Sequence, residues 1–252
     1  MNSSEIAYGI HPVLEALREG KDIQRIFIQQ GKNPSTLVEL KELAKKNNIP
    51  LAIVPVEKLN RLTSKNHQGV VCLLSPLTYS NLEHVIPSLF EEGKIPFILI
   101  MDNITDVRNF GAIARTAECG GVHALLIPTT HTAPVNRDSL KSSSGALLKI
   151  PVCRTDNLKK SLLYLKSSGL QLVGATHEAS DTLFDSKLKD PMALIMGSED
   201  KGLSADVLRI ADKLIRIPMK GEIASLNVSS AAAIFIFEIM RQREIEGMSH
   251  AD

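Results

Sequence analysis

The sequence contains no tryptophan, and its aromatic side chains are few: seven Phe and three Tyr among 252 residues. Proteins that hold single strands of nucleic acid on a stacking platform need several exposed aromatic rings. So few rings argue against a large platform of that kind. Any recognition of RNA would depend on shape, on phosphates and on a few polar contacts.

Cysteine is also scarce, and no signal for export is present. Cys72, Cys119 and Cys153 are widely separated and form no CxxC pair, so the sequence predicts neither a zinc site nor a disulfide framework. The N-terminus lacks a basic stretch followed by an apolar one, and no run approaches the roughly 18 apolar residues of a membrane span. These absences predict a cytoplasmic protein without a membrane or metal partner.

Several motifs that identify common enzyme classes are missing. No GxG pair and no GxxxxGK[ST] loop occur, and neither do the GxSxG and HExxH motifs. These absences disfavour nucleotide hydrolysis, hydride transfer and zinc chemistry. They also disfavour a conventional methyltransferase of the dinucleotide-binding type.

Charge is nearly balanced, at a formal net +1, but it is unevenly distributed. Residues 1–77 hold 10 Lys/Arg and 7 Asp/Glu, whereas the remainder holds 19 and 21. This mild bias permits an RNA partner without requiring one. The 44% hydrophobic content is sufficient for real cores.

The pattern of apolar residues predicts two α/β domains, at 1–77 and 97–252, joined by a linker at 78–96, and the stretch 75–96 holds three prolines. In the first domain the pattern predicts three helices and three strands: helices 11–19, 34–47 and 56–62, strands 23–29, 51–54 and 69–74. In the second it predicts five nearly continuous apolar strands: 97–101, 124–127, 171–175, 192–196 and 214–217. Such strands, separated by helices, indicate a parallel sheet covered on both faces.

Ligands of parallel sheets bind at the carboxyl ends of the strands. That rule selects four loops, at 102–111, 128–145, 197–203 and 218–229. The first, in DNITDVRNFGAIARTAECGG, has more polar residues than a helix cap needs, although capping by Asp106 or Asn109 and a solvated Arg115 would explain part of it.

The loop GSEDKGLS carries Gly197, which suits close approach of a ligand, and Glu199, which could accept a hydrogen bond from it. A turn that ends in a Ser204 helix cap would explain only part of that loop. The segment IASLNVSS has more capping side chains than one helix can use, including Ser225 and Asn227. The helix that follows is apolar almost all round from 231 to 239, which predicts burial, either in the domain or against another subunit.

The loops at 102–111, 197–203 and 218–229, in this order, resemble the three signature motifs of the SpoU (TrmH-like) branch of the SPOUT RNA methyltransferases. The motifs read here as RNFGAIARTA, MGSEDKGLS and IPMKGEIASLNVSSAAAI. The first domain, with YGIHPVLEAL and HQGVV, resembles the L30e-like substrate-binding domain of many members. The resemblance implies 2′-O-ribose methylation of ribosomal RNA, most closely of a 23S rRNA guanosine. It also implies a homodimer whose C-terminal segment forms a trefoil knot, an exception among folds.

The resemblance further implies S-adenosylmethionine as cofactor, bound at Gly197, Ile217, Met219 and Leu226. Its implied catalytic residue is Arg115, proposed in the family to deprotonate the ribose hydroxyl. A guanidinium stays protonated, so clamping of a phosphate and polarisation of the hydroxyl is the physically safer role. Asn109, Glu199, Ser225 and Asn227 would orient Arg115, the ribose or the partner subunit.

Two alternatives stay open at this point. One is another RNA target for the same reaction, either a tRNA or a ribosomal adenosine whose methylation confers antibiotic resistance. The other is a non-catalytic RNA-binding homologue, which would not need Asn109, Arg115, Glu199, Ser225 and Asn227 together.

Overall fold

The structure is a computed structural model that describes residues 6–33, 37–223 and 225–248. The chain divides into two compact units, residues 1–78 and 79–252. The first unit contains, in chain order, β1 (Ile6–Tyr8), α1 (Ile10–Arg18), β2 (Ile23–Gln29), α2 (Val38–Lys46), β3 (Leu51–Val54), α3 (Val56–Leu62) and β4 (Val70–Leu74).

The sheet of the first unit has the order β1-β4-β2-β3, with β4 antiparallel to both of its neighbours and β3 parallel to β2. Alternate residues of a strand point to opposite faces, so a strand that is buried throughout must be covered on both. One face packs against α1 and α2 through Val13, Leu40 and Ile26. The other packs Leu59 of α3 against Phe27 and Val71. The unit therefore has three layers.

The second unit begins with β5 (Tyr79–Ser80), α4 (Leu82–Glu91), β6 (Phe97–Met101), α5 (Val107–Cys119), β7 (Ala124–Pro128), α6 (Arg137–Ser142) and β8 (Val152–Thr155). It continues with α7 (Leu158–Ser167), β9 (Gln171–Ala175), β10 (Asp181–Thr182), β11 (Met192–Met196), α8 (Ala205–Ile210), β12 (Lys213–Arg216) and α9 (Val228–Met248).

The eight strands that the structure describes in the second unit are all parallel, in the order β10-β12-β9-β11-β6-β7-β8-β5. The predicted parallel α/β sheet is therefore confirmed. From β6 the chain moves one way to β7 and β8, then returns to the other side for β9 and β11. The order reverses between β6 and β11, and ligands of open α/β sheets bind at such a point.

Helices cover both faces of this sheet. On one face, side chains of α4, α7 and α8 share a core with Ile98 and Ile100 of β6. Phe97, Leu99 and Met101 alternate with them and are also buried, so the opposite face is covered too. There α5 packs against α6 and α9.

Differences from the sequence predictions fall mainly on short elements. The patterns did not predict β1, β5, β8 or β10, which are two to four residues long. The stretch 78–96, expected to be a linker, contains β5 and α4, and α4 buries Leu82, Ile86 and Leu89 in the core of the second unit. Of the helix predicted at 34–47, residues 34–36 lie outside the described residues. The trefoil knot stays a prediction.

Candidate active site

Two loops meet where β6 and β11 end. These strands are neighbours, with Met101 beside Met196, so the loops that follow them start side by side. The backbone N–H of Asp102 donates to the carbonyl of Met196 at 2.9 Å. Its carboxylate Oδ2 accepts a hydrogen bond from the backbone N–H of Ser204 at 2.7 Å. Asp102, only 2% exposed, is thus joined to both ends of the loop 197–203.

Glu199 connects the same loop to two helices. Its Oε1 accepts hydrogen bonds from the backbone N–H of Val228 at 3.0 Å, from Nδ2 of Asn109 at 3.3 Å and from Nδ2 of Asn227. Val228 begins α9, where unpaired N–H groups and the helix dipole favour a negative charge. The carboxylate therefore fits its position electrostatically.

Asn227 completes this cluster and caps α9. Its Oδ1 accepts hydrogen bonds from the backbone N–H groups of Ser229, at 3.0 Å, and Ser230, at 3.4 Å. Its Nδ2 donates to Oδ1 of Asn109 at 3.0 Å. Three of the five predicted catalytic residues, Asn109, Glu199 and Asn227, thus form one hydrogen-bonded cluster, which we call the polar triad.

A cavity of about 280 Å³ lies beside the polar triad, at the carboxyl ends of β9, β11 and β12. Its wall includes all four residues predicted to bind a cofactor: Gly197, Ile217, Met219 and Leu226. Glu199 and Ser225 also line it. Part of the wall is apolar, formed by Leu208, Ile215 and Phe235, and the rest is polar. Such a cavity can accept a ligand that is apolar at one end and polar at the other.

Gly197 is required for a reason beyond the predicted one. The sequence suggested close approach of a ligand. In the structure, a Cβ atom at this position would lie 2.4 Å from the backbone carbonyl of Gly202 and 2.6 Å from the nitrogen of Leu203. Two backbone hydrogen bonds between Ser198 and Gly202, at 3.1 and 2.9 Å, close the loop in this way. The close approach is made by the loop's own backbone.

Arg115 is not hydrogen-bonded to the polar triad and does not line the cavity. It is exposed on α5 and makes no hydrogen bond or ion pair with any residue that the structure describes. Asn109 lies six residues earlier on the same helix, which turns it about 120° away around the axis. A single chain therefore does not bring Arg115 to the other predicted catalytic residues.

The remaining polar residues of the first loop shape its backbone. Asp106 is the N-cap of α5, and its Oδ1 accepts from the backbone N–H groups of Arg108 and Asn109, both at 2.9 Å. Asn103 has a φ of 60° and donates through Nδ2 to Oδ1 of Asp102 at 2.8 Å. Ser204 is the N-cap residue of α8 but makes no side-chain cap hydrogen bond, and its backbone N–H donates to Asp102.

One wall of the cavity was missed by the sequence reasoning. Thr176, His177 and Glu178 line it directly after β9. The rule that ligands bind at strand ends could have found them, since the strand 171–175 was itself predicted. Among the residues that the structure describes, no group of three or more His, Cys, Asp or Glu side chains could hold a metal ion. No helix in the described ranges is long and apolar enough to cross a membrane.

Comparison with known families assigns both units. A model of the SpoU rRNA methylase family matches residues 96–237. A second model, for the substrate-binding region of RNA 2′-O ribose methyltransferases, matches residues 6–80. Among curated relatives, the 23S rRNA (guanosine-2′-O-)-methyltransferase RlmB of Photorhabdus laumondii is 36% identical and covers 95% of this chain and 99% of its own. RlmB of Escherichia coli is 34% identical with the same coverage.

Solved structures give the same assignment of fold. An AdoMet-bound rRNA methyltransferase from Sinorhizobium meliloti has 25% identity and a TM-score of 0.61, covering 94% of this chain and 87% of its own. The SpoU methyltransferase AviRb from Streptomyces viridochromogenes, solved with AdoMet, has 23% identity and a TM-score of 0.61. It covers 95% of this chain and 90% of its own.

Proposed function

Because the chain belongs to the SpoU rRNA methylase family, we propose that it methylates a ribose 2′-hydroxyl of ribosomal RNA with S-adenosylmethionine as donor. The target nucleotide we propose is a guanosine of 23S rRNA, as in the names of relatives that match nearly the whole chain. The observation that carries the proposal is the polar triad beside the cavity, assembled from three segments that are remote in sequence. A ribosomal RNA substrate also supports the predicted cytoplasmic location.

The chemistry of the cavity fits S-adenosylmethionine. Apolar side chains such as Leu208 and Phe235 suit the adenine ring, and the polar wall from Thr176 to Glu178 suits hydroxyl and amino groups. Gly197, Ile217, Met219 and Leu226 would hold the cofactor, with Met219 and Leu226 as partly exposed apolar contacts. When bound, the cofactor supplies an electrophilic methyl group. The cavity's residues would orient that group and exclude water from it.

We assign two roles to this chain's polar residues. Arg115, an exposed cation without a partner among the described residues, would bind the phosphate next to the target ribose and polarise its 2′-hydroxyl. The polar triad, with Ser225 at the cavity wall, would fix the start of α9 and the position of the ribose. A guanidinium holds its proton near neutral pH, which favours phosphate binding by Arg115 over a role as general base.

We infer further that the active enzyme is a homodimer. Arg115 neither lines the cavity nor bonds to the polar triad of its own chain, so a second copy would supply the arginine to this site. The second unit also carries exposed apolar side chains: Phe237 on α9 is 42% exposed and Ile223 is 77% exposed. Burying such side chains between two copies would be favourable.

The test is methyl transfer to 23S rRNA transcripts by wild type and by Arg115→Ala, with calorimetry of S-adenosylmethionine binding. We expect Arg115→Ala to abolish transfer and to leave the cofactor affinity within about twofold, because Arg115 does not line the cavity. Arg209→Ala removes another exposed arginine of the same unit and is the matched control. Undiminished transfer by Arg115→Ala would refute its role.

A second experiment, together with the calorimetry, addresses the alternatives. Mapping 2′-O-methyl groups in rRNA and tRNA from cells with and without the gene identifies the nucleotide. A wild-type protein that binds rRNA but not S-adenosylmethionine would be a non-catalytic RNA-binding homologue.

A further inference from the structure

The first unit has a polar surface at one end of its sheet. Because β4 runs antiparallel to β1 and β2, its beginning lies between their ends. The backbone N–H of Gly9 donates to the carbonyl of Val70 at 2.9 Å, and that of Gln29 donates to the carbonyl of Gly69 at 2.8 Å. Three segments, 6–9, 29–33 and 63–69, are thereby held together.

The turn before β4 is held by hydrogen bonds of His67. Nδ1 of His67 accepts a hydrogen bond from the backbone N–H of Gly69 at 3.0 Å, and Nε2 lies 2.9 Å from Oδ1 of Asn60. Since Nδ1 accepts, the neutral ring carries its proton on Nε2 and donates it to Asn60. Gln68, between these residues, has a φ of 50°. A left-handed backbone is unfavourable for glutamine and is concentrated at positions that bind ligands.

This turn displays polar and basic side chains next to an aromatic ring. Oε1 of Gln68 lies 3.5 Å from the position of a Cβ atom on Gly9. Oε1 of Gln29 and Cδ of Lys32 each lie 3.1 Å from the equivalent position on Gly69. Nζ of Lys65 is 5.5 Å from the centroid of the Tyr8 ring. We call this group the turn surface: Tyr8, Gln29, Lys32, Lys65 and Gln68.

The chemistry of the turn surface suits one class of ligand. Its three segments contain two lysines and no Asp or Glu, so it attracts anions. Glutamine amides offer both a donor and an acceptor, which match the edges of unpaired bases. The Tyr8 ring packs against the core on one side and lies beneath the ammonium of Lys65, so it holds Lys65 at the surface, where Lys65 can meet a phosphate. Bases inside an A-form duplex would not present these edges, because the major groove is too narrow.

We propose that the turn surface binds unpaired nucleotides of the RNA substrate. The proposal extends the proposed function, since it names the part of the first unit that recognises the RNA and the form of RNA it takes. Lys32 and Lys65 bind phosphates, and Gln29 and Gln68 contact base edges. The left-handed turn holds Gln68 in place for that contact.

The test uses the full chain and two fluorescent RNAs of equal length, a hairpin with a seven-nucleotide loop and a fully paired duplex, in anisotropy titrations at several salt concentrations. Wild type is expected to bind the hairpin about tenfold more tightly. Lys32→Ala/Lys65→Ala should weaken hairpin binding at least tenfold and lower the salt slope by about 1.4, or 0.7 for each phosphate contact to a single strand.

Two further variants complete the design. Lys45→Ala/Lys46→Ala removes the same charge from exposed positions on α2 and should leave the affinity unchanged. Gln68→Gly removes the amide without backbone strain, so it should reduce the preference for the hairpin while thermal unfolding is unimpaired. Equal losses in the two lysine pairs, or no hairpin preference in wild type, would overturn the proposal. Hairpin binding without methyl transfer would overturn the proposed function and leave this proposal standing.

Discussion

The buried carboxylate of Asp102 accepts a hydrogen bond from the backbone N–H of Ser204, 102 positions later in the chain, at 2.7 Å. Asp102 directly follows β6, where the segment leading to α5 begins, and Ser204 precedes α8. Through this contact one side chain fixes the loop 197–203, which lines the cavity, against the segment that leads to Asn109 and Arg115. A hydrogen bond therefore joins the two predicted motifs.

Replacing Asp102 should affect stability and cofactor binding together. We expect Asp102→Ala to lower the free energy of unfolding by about 2 kcal/mol, because it leaves the partly buried N–H of Ser204 unpaired. The loop 197–203 should loosen, and calorimetry should show weaker binding of S-adenosylmethionine. Asp106→Ala removes the N-cap of α5 and should cost about 1 kcal/mol with the cofactor affinity retained. Equal cofactor affinities in both variants would contradict the connecting role of Asp102.

The contact of Glu199 with Asn227 should appear as an energetic coupling. The two side chains share a hydrogen bond, and Glu199 also accepts from Val228. In a double-mutant cycle with Glu199→Ala and Asn227→Ala, we expect the double variant to lose less unfolding free energy than the sum of the single ones. The coupling should be about 0.5–3 kcal/mol. Strictly additive losses in urea unfolding would mean that the polar triad is not formed in solution.

Substitution of Gly197 should be far more harmful than substitution of Gly221. A Cβ atom at 197 would lie 2.4 Å from backbone atoms, whereas at 221 nothing lies within 4 Å. We expect Gly197→Ala to force the loop 197–203 apart, lowering unfolding free energy by about 1–3 kcal/mol and weakening cofactor binding. Gly221→Ala is the matched control in the neighbouring loop. Similar calorimetric results for the two variants would contradict this close packing.

His123 should make stability depend on pH. Burial, assisted by the positive charges of Arg243 and Lys94, lowers the pKa of its imidazole below the ordinary 6.5, against an opposing effect of Glu92. Its Nδ1 accepts from the backbone N–H of Phe97 at 3.0 Å, which requires the unprotonated nitrogen. Since the unfolded state binds the proton more readily, this stabilisation is present above pH 6.5 and is lost as the pH falls through the lowered value.

Urea unfolding at pH 7.5 and 5.5 tests that dependence. His123→Asn can keep an acceptor for the N–H of Phe97 but does not titrate, so it should lose less stability on acidification than wild type. An identical loss in both proteins would assign the pH dependence to other groups.

Long apolar strands were predictable from the sequence alone. The patterns at 23–29, 51–54, 97–101, 171–175 and 192–196 match the observed strands residue for residue. Their periodicity is local, so it needs no knowledge of partners. In contrast, β8 has Arg154 among its four residues, and α4 has proline within it, so neither gave a clear local signal.

The sequence by itself determined the order of the motifs, the apolar strands and hence which loops follow strand ends, because these depend on residue type and spacing. Only the tertiary structure decided which side chains meet. Asn109, Glu199 and Asn227 come together because β6 and β11 are neighbours and α9 starts beside them. The tertiary structure also showed that Arg115 does not bond to these three residues and that Gly197 packs against its own loop. Contacts between remote residues depend on packing, which residue type and spacing do not determine.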